Sequence, residues 1–295
     1  MGKDAQNNDA DIFHGLSGEL PLKWTSKPIK KIVTIHDLIF MKFPKYYSFF
    51  DRKIHFWKFK KAAREADHII AISQQTKQDI IEYLNVPEDK ISVIYQGCHP
   101  AFKKSYLESQ LKTISEKFNL PQHFVLNVGT IEERKNLLSV VKALQGTDIP
   151  LIVIGKKTKY FSKVSKEITK SKVDVRFLEN VSMEELAGIY KLADIFIYPS
   201  LYEGFGIPII EALFSETCVI TSNVSCLPEA GGPDSVYINP KNPEDIHAKI
   251  NFLWNNESER KRRVEKGLLY AQNFTDEKIG RQINDLYLEI KSDLK

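Results

Sequence analysis

Tyr198-Pro-Ser-Leu-Tyr-Glu-Gly-Phe-Gly-Ile-Pro-Ile-Ile-Glu-Ala-Leu-Phe214 is the stretch that organises the rest of the chain. The residues leading into it, Ala193-Asp-Ile-Phe-Ile-Tyr198, are apolar and bounded by turn formers, which predicts a short buried strand. Gly204 and Gly206 allow a tight turn, and Pro208 suits the first turn of a helix, where its missing N–H costs nothing. A strand, a glycine-bearing turn and a helix start together make an anion site. Backbone N–H groups and the positive helix end face whatever docks there, most often phosphate. Glu203 precedes the glycines, and Glu211 falls about one turn into the helix. Carboxylates repel phosphate, so these two suit the neutral parts of a ligand, such as sugar or ribose hydroxyls. On spacing alone, a buried helix start with two surface acids fits equally well.

Glu203-Gly-Phe-Gly-Ile-Pro-Ile-Ile-Glu211, with seven residues between its two glutamates, resembles the signature of the family-four retaining glycosyltransferases. Those enzymes use nucleotide sugars and have the GT-B fold, so the resemblance implies an α/β chain with two Rossmann-like, doubly wound parallel-sheet domains. It also implies roles. Glu203 would act on the transferred sugar, Glu211 would hold the ribose, and Gly204, Phe205, Gly206 and Ile207 would line the donor diphosphate.

Working backward from this stretch, strands are expected near 124–128, 150–155, 173–178 and 194–198, and forward of it near 218–221 and 236–238. With helices between them, this half reads as a complete doubly wound domain. Ser182-Met-Glu-Glu185 is a capping box that opens one of the helices. The first turn is Val128-Gly-Thr-Ile-Glu-Glu-Arg-Lys-Asn136, placing Arg134 and Lys135 at an expected helix start. The helix dipole disfavours cations there. A diphosphate bound between them would relieve that penalty, Arg giving a forked contact and Lys a point charge; a solvated pair is the plainer alternative. The segment resembles Gly-Thr-Leu-Glu-Pro-Arg-Lys-Asn of sugar transferases in the same family, where both cations hold the donor diphosphate; here Glu133 stands in place of the proline. By the same resemblance, Asn180, Val181 and Ser182 form the loop beside the nucleotide base. Leu227-Pro-Glu-Ala-Gly-Gly232 is a turn also found in the family, with a structural role as good a reading as a ligand contact.

The first half alternates in the same way, with strands expected at 11–15, 30–37, 66–73 and 90–95 and helices at 46–65 and 74–84. In such sheets ligands bind at the carboxyl ends of strands, where His14, His36, Asp37 and Ser73 fall. His36 is the candidate here, because a neutral imidazole can hydrogen-bond a sugar hydroxyl or move a proton near pH 7. Thr34-Ile-His-Asp-Leu38 resembles the position from which a family histidine lines the cleft beside the sugar, and the resemblance gives His36 a catalytic role. Residues 49–64 mix Phe49, Phe50, Phe56, Trp57 and Phe59 with Arg52, Lys53, Lys58, Lys60, Lys61 and Arg64. Such a helix fits the surface of an anionic membrane, or a core stripe with snorkelling lysines outside. Residues 100–110 read as the linker, giving domains 1–105 and 106–274. A final amphipathic helix at 275–295 would pack back on the first domain, as in GT-B proteins.

The 295 residues, 42% of them apolar, suffice for two modest cores. No run approaches a membrane span, and the opening Met1-Gly-Lys-Asp-Ala-Gln-Asn-Asn has no apolar signal core. Cys98, Cys218 and Cys226 show neither disulfide nor metal spacing, so a cytoplasmic enzyme is expected, placed peripherally at the inner face of the membrane if the 49–64 helix binds there. Residues 1–120 carry 19 basic and 14 acidic side chains, or +5, which leaves −1 of the total +4 for the remainder. This favours an anionic partner near the first half. Nothing in the spacing argues for nucleic acid.

Against the family, the first domain is short. Strands expected before Asp11 are missing, which would leave an exposed sheet edge. A shortened chain, a partner chain that supplies the missing strands and a degenerate protein are equally open explanations, with a partner chain or a dimer as candidates to cover that edge. The resulting reading is a metal-independent, retaining hexosyltransferase without a cofactor. It would use a GDP- or UDP-linked nucleotide sugar, mannose favoured, and a saccharide or lipid-linked acceptor. A non-catalytic nucleotide-sugar-binding or scaffold subunit is the alternative. A GT-B epimerase or a pyridoxal-phosphate phosphorylase fits the Arg-Lys pair and the two glutamates less well.

Overall fold

The structure is a computed structural model that describes residues 10–24 and 29–292. The polar opening residues and the last three, to which the final helix was expected to run, lie outside the described residues.

In chain order the first part holds β1 (Ile12–Gly15), β2 (Lys30–Ile35), α1 (Ile39–Lys42), α2 (Phe49–Glu65), β3 (His68–Ala71), α3 (Gln74–Leu84) and β4 (Ile91–Val93). Next come α4 (Glu108–Phe118), β5 (Val125–Val128), α5 (Leu137–Ala143), β6 (Leu151–Ile154), α6 (Phe161–Ser171) and β7 (Val175–Leu178). They are followed by α7 (Met183–Leu192), β8 (Ile195–Tyr198), α8 (Ile207–Phe214), β9 (Cys218–Ser222), α9 (Leu227–Gly231) and β10 (Val236–Ile238). The chain closes with α10 (Pro243–Trp254), α11 (Glu257–Ala271) and α12 (Asp276–Ser292). It forms two compact units. One comprises the residues up to Gln96, Glu203–Phe205 and those from Thr275; the other comprises Gly97–Tyr202 and Gly206–Phe274. Both belong to the α/β class, with all-parallel sheets of the GT-B type.

The first unit has a four-stranded sheet in the order β1-β2-β3-β4. The order runs without a reversal, as in one half of a doubly wound sheet. Successive strand side chains point to opposite faces, and both faces are covered. Val33, Ile35, Ile69 and Ala71 pack with Ala62 and Ala63 of α2 and Ile80 of α3. Ile32 and Ile70 pack with Leu286 and Ile290 of α12.

Helix α2 is apolar on two sides. Ser48 caps its start by accepting the N–H of Asp51, and the Lys90 ammonium donates to the Ala63 carbonyl at its end. Phe59, Ala62 and Ala63 face the core. Phe50, Ile54 and Trp57, spaced as one outward stripe, are 76%, 53% and 54% exposed. The core reading of the aromatic run holds for one side of the helix, and the other side is exposed.

The second unit has a six-stranded sheet in the order β10-β9-β8-β5-β6-β7. Counted from its own first strand this is the Rossmann order, with the reversal between β5 and β8. Segment 100–110, expected to be a linker, holds the helical turn Pro100–Lys103, and Phe102 is buried edge-on against Tyr190. A single buried aromatic among polar neighbours gives no periodic signal, and the division between units falls earlier, at Gln96–Gly97.

Candidate functional site

The loops after β5 and β8 flank the strand reversal of the second sheet, where side chains from both converge. After β5, Gly129 adopts φ +145°, and a Cβ on Gly155 would collide with its carbonyl oxygen, so the chain after β6 can approach this closely only with glycine at 155. Glu133–Lys135 then form a helical turn, Asn136 is left-handed at φ 60°, and α5 begins at Leu137. The two cations therefore precede the helix instead of opening it, and the dipole penalty read from the sequence falls away. What holds them is the β8–α8 loop. Arg134 donates from Nη1 to the Tyr202 carbonyl at 2.6 Å and from Nη2 to Glu132 at 2.7 Å. Lys135 donates to the Tyr198 hydroxyl at 2.5 Å, with its ammonium 5.0 Å from that ring's centroid. Asn136 ties the two loops further through the Pro199 carbonyl and reaches the segment after β10 through the Pro240 carbonyl.

Gly206, at φ +118°, opens α8, and no side chain caps that helix. Pro208 sits in its first turn, as expected, with Ile207 at its start. Glu211 lies one turn in and accepts the Tyr190 hydroxyl at 3.1 Å. Burial pushes its carboxyl up to about 7, against the pull of that hydrogen bond. A group poised there can both donate to and accept from a neutral diol.

Between the ends of β6 and β7 is a cavity of about 420 Å³, lined by Gly155, Lys156, Lys157, Glu179, Asn180 and Val181 among others. Asn180 is left-handed at φ 56°. Ser182 does not line the cavity; it caps α7 in a capping box with Glu185.

In the first unit, Glu203 is buried at 7% exposure. A Cβ on the next residue, Gly204, would collide with the His36 carbonyl, which brings Glu203–Phe205 against the end of β2. His36 donates from Nε2 to the Leu16 carbonyl at 2.7 Å and accepts at Nδ1 from the Gln96 amide at 3.2 Å. Both ring nitrogens are thus engaged, and the imidazole is held as the Nε2–H tautomer. Ser73, expected at a ligand-binding strand end, holds this corner together with Gln96 and Thr76, which the sequence did not single out. Only Ser73-Gln-Gln-Thr76 left a trace in sequence, as a hydroxyl N-cap. The structure therefore gathers Glu203, Gly204, Phe205 and His36 in one unit, and Arg134, Lys135, Gly206, Ile207, Glu211, Asn180, Val181 and Ser182 in the other. Among the described residues, no three His, Cys, Asp or Glu side chains gather so as to hold a metal ion. No helix among them is long and apolar enough to cross a membrane.

The pattern that defines the Glycosyl transferases group 1 matches residues 110–286, and that of Glycosyltransferase Family 4 matches residues 2–102. The serotype-specific mannosyltransferase WbdA of Escherichia coli is 28% identical over 251 residues, which cover 79% of this chain and 30% of that protein. The chain thus spans under a third of that relative's length. The O-antigen chain mannosyltransferase B of Escherichia coli is 27% identical over 293 residues, 94% of this chain and 74% of that one. Among solved structures, a glycosyltransferase from Rickettsia africae superposes with a TM-score of 0.80 at 22% identity, covering 98% of this chain and 79% of that one. Since the group 1 pattern runs through both the Arg134–Lys135 turn and the Glu203–Glu211 stretch, the chain belongs to the group 1 glycosyl transferases.

Proposed function

We propose that the chain transfers a hexose, with mannose favoured, from a nucleoside diphosphate sugar to a saccharide or lipid-linked acceptor in the synthesis of a cell-surface polysaccharide. The observation that carries this reading is the pair Arg134 and Lys135, both bonded to the loop that leads into the uncapped start of α8. Cations on one side and helix N–H groups on the other suit a diphosphate. The mannosyltransferase relatives favour mannose, and the resemblance of the Gly-Thr-x-Glu-x-Arg-Lys segment favours GDP as the donor's nucleotide.

In this reading Arg134, Lys135 and the turn Gly204–Ile207 hold the donor diphosphate, Glu211 holds the ribose hydroxyls, and Asn180 and Val181 flank the base. Ser182 supports that loop through its cap. Glu203 acts on the transferred sugar, and a sugar hydroxyl takes the place of the Leu16 carbonyl on His36 Nε2. The acceptor hydroxyl attacks the anomeric carbon from the face the diphosphate leaves. The C–O bond to phosphate breaks as the new one forms, and the acceptor's proton passes to a departing diphosphate oxygen. Retention follows from that shared face. The cations and backbone amides, not a divalent ion, stabilise the leaving charge.

We place the enzyme on the cytoplasmic side, touching an anionic membrane through α2. Six basic side chains against two acidic ones give that helix a net +4. Phe50, Ile54 and Trp57 are exposed, and Trp57 lines, with Lys60, Arg64 and Lys90 among others, a cavity of about 670 Å³. We assign the edge strand β1 to a partner chain or a second copy. The deciding experiment incubates the full chain with labelled GDP-mannose and a panel of saccharide and lipid-linked acceptors. Transfer with retained anomeric configuration supports the reading. Nucleotide binding without transfer to any acceptor favours a binding or scaffold subunit.

A further inference from the structure

Ser73 ends the β3 loop and opens α3. Its Oγ accepts the Thr76 N–H at 3.0 Å, which is an ordinary N-cap, and donates its own hydrogen to the Gly204 carbonyl at 2.6 Å. Thr76 Oγ1 lies 3.2 Å from the same carbonyl and 3.3 Å from that of His36. Ser73 is 0% exposed and Thr76 1%. Phe205 stacks on Tyr95 with ring centroids 5.3 Å apart and planes 20° from parallel. Within one unit, the carbonyl of the residue after Glu203 accepts the Ser73 hydroxyl and shares the single Thr76 hydroxyl hydrogen with the His36 carbonyl, and the next residue is clamped by an aromatic ring.

The loop needs this grip. Glycines at 204 and 206 leave its backbone with more freedom than other residues would. A carboxylate that acts on a sugar must be held to within about 0.5 Å. A carbonyl oxygen has two lone pairs, so it can take both hydroxyls, and leaving it unbonded once buried is costly. We infer that Ser73 and Thr76 are positioning residues, whose hydroxyls fix the Gly204 carbonyl and so set where the Glu203 carboxylate stands. This rests on the proposed role of Glu203. A plain N-cap would need only the Ser73 oxygen as acceptor, whereas the observed geometry also uses its hydrogen and a second hydroxyl.

The test uses the full chain with Ser73→Ala, Thr76→Val and Thr76→Ser. Thr76→Val keeps the side-chain volume and leaves the Ser73 cap intact, so it carries the experiment if Ser73→Ala does not fold. Hydrogen exchange of the 202–207 peptide and turnover of GDP-mannose are measured beside GDP affinity. Expected are exchange at least tenfold faster and a fall in kcat of at least fivefold that exceeds any rise in GDP Kd, with Thr76→Ser restoring both rates. Unchanged exchange and kcat in Ser73→Ala and Thr76→Val would overturn the inference, as would a loss that Thr76→Ser fails to restore. If the parent transfers no sugar but exchange still responds as expected, the placement stands and the transferase reading alone fails.

Discussion

At the scale of the residue, Glu203 is a buried acid and Glu211 a half-buried one, and they sit in different units. Burial beside the Tyr190 hydroxyl raises the Glu211 carboxyl from an ordinary 4.5 to about 7. Between those values the folded chain holds a proton that the unfolded chain has lost, so this residue's contribution to stability declines as pH rises through the window and is level above it. Glu211→Gln should remove that decline, worth up to about 3 kcal/mol. Denaturant unfolding of both proteins at pH 5 and pH 8 checks it, and an identical pH slope in the two would refute it. For Glu203→Ala the expected outcome is a loss of turnover on the order of a hundredfold or more with nucleotide affinity unchanged. Retained turnover would take Glu203 out of the mechanism. The acids and the cations were readable in the sequence because they sit in a motif. Gln96 and Thr76 were not, because their partners His36 and Gly204 are 60 and 128 residues away.

At the scale of the element, α2 separates what periodicity can and cannot reveal. Its alternation of aromatic and basic residues supports a helix, but two apolar sides blur the usual amphipathic signal. Only the packing shows that Phe59, Ala62 and Ala63 face inward while Phe50, Ile54 and Trp57 face out. The Arg134–Lys135 turn teaches the same lesson. Its residues were legible, but the left-handed Asn136 that delays α5 to Leu137 was not. If the outer face of α2 meets an anionic bilayer, the chain should co-sediment with phosphatidylglycerol vesicles and much less with pure phosphatidylcholine. Lys60→Glu with Arg64→Glu should weaken that binding at least tenfold, from about 1 kcal/mol per basic residue near the surface. Equal binding to both lipids, or none lost in the variant, would remove the membrane role.

At the scale of the whole molecule, two parallel sheets were legible because each strand is a short apolar run between turn formers. The grouping of Glu203–Phe205 with the first unit was not, since it depends on contacts far apart in sequence. Helix α12 completes the first unit from the other end of the chain, with Leu286 and Ile290 over Ile32, Ile70 and Ile94. Leu286→Ala should cost about 2–5 kcal/mol of stability, checked by denaturant unfolding; a loss of less than about 1 kcal/mol would show that α12 adds little to this core. The proposed transfer depends first on a diphosphate held by Arg134 and Lys135. Calorimetric titration of GDP and UDP into the parent chain and into Lys135→Ala tests it most directly. Saturable binding by the parent, weakened about tenfold or more in the variant, is the predicted result; equal affinity in the two would contradict it.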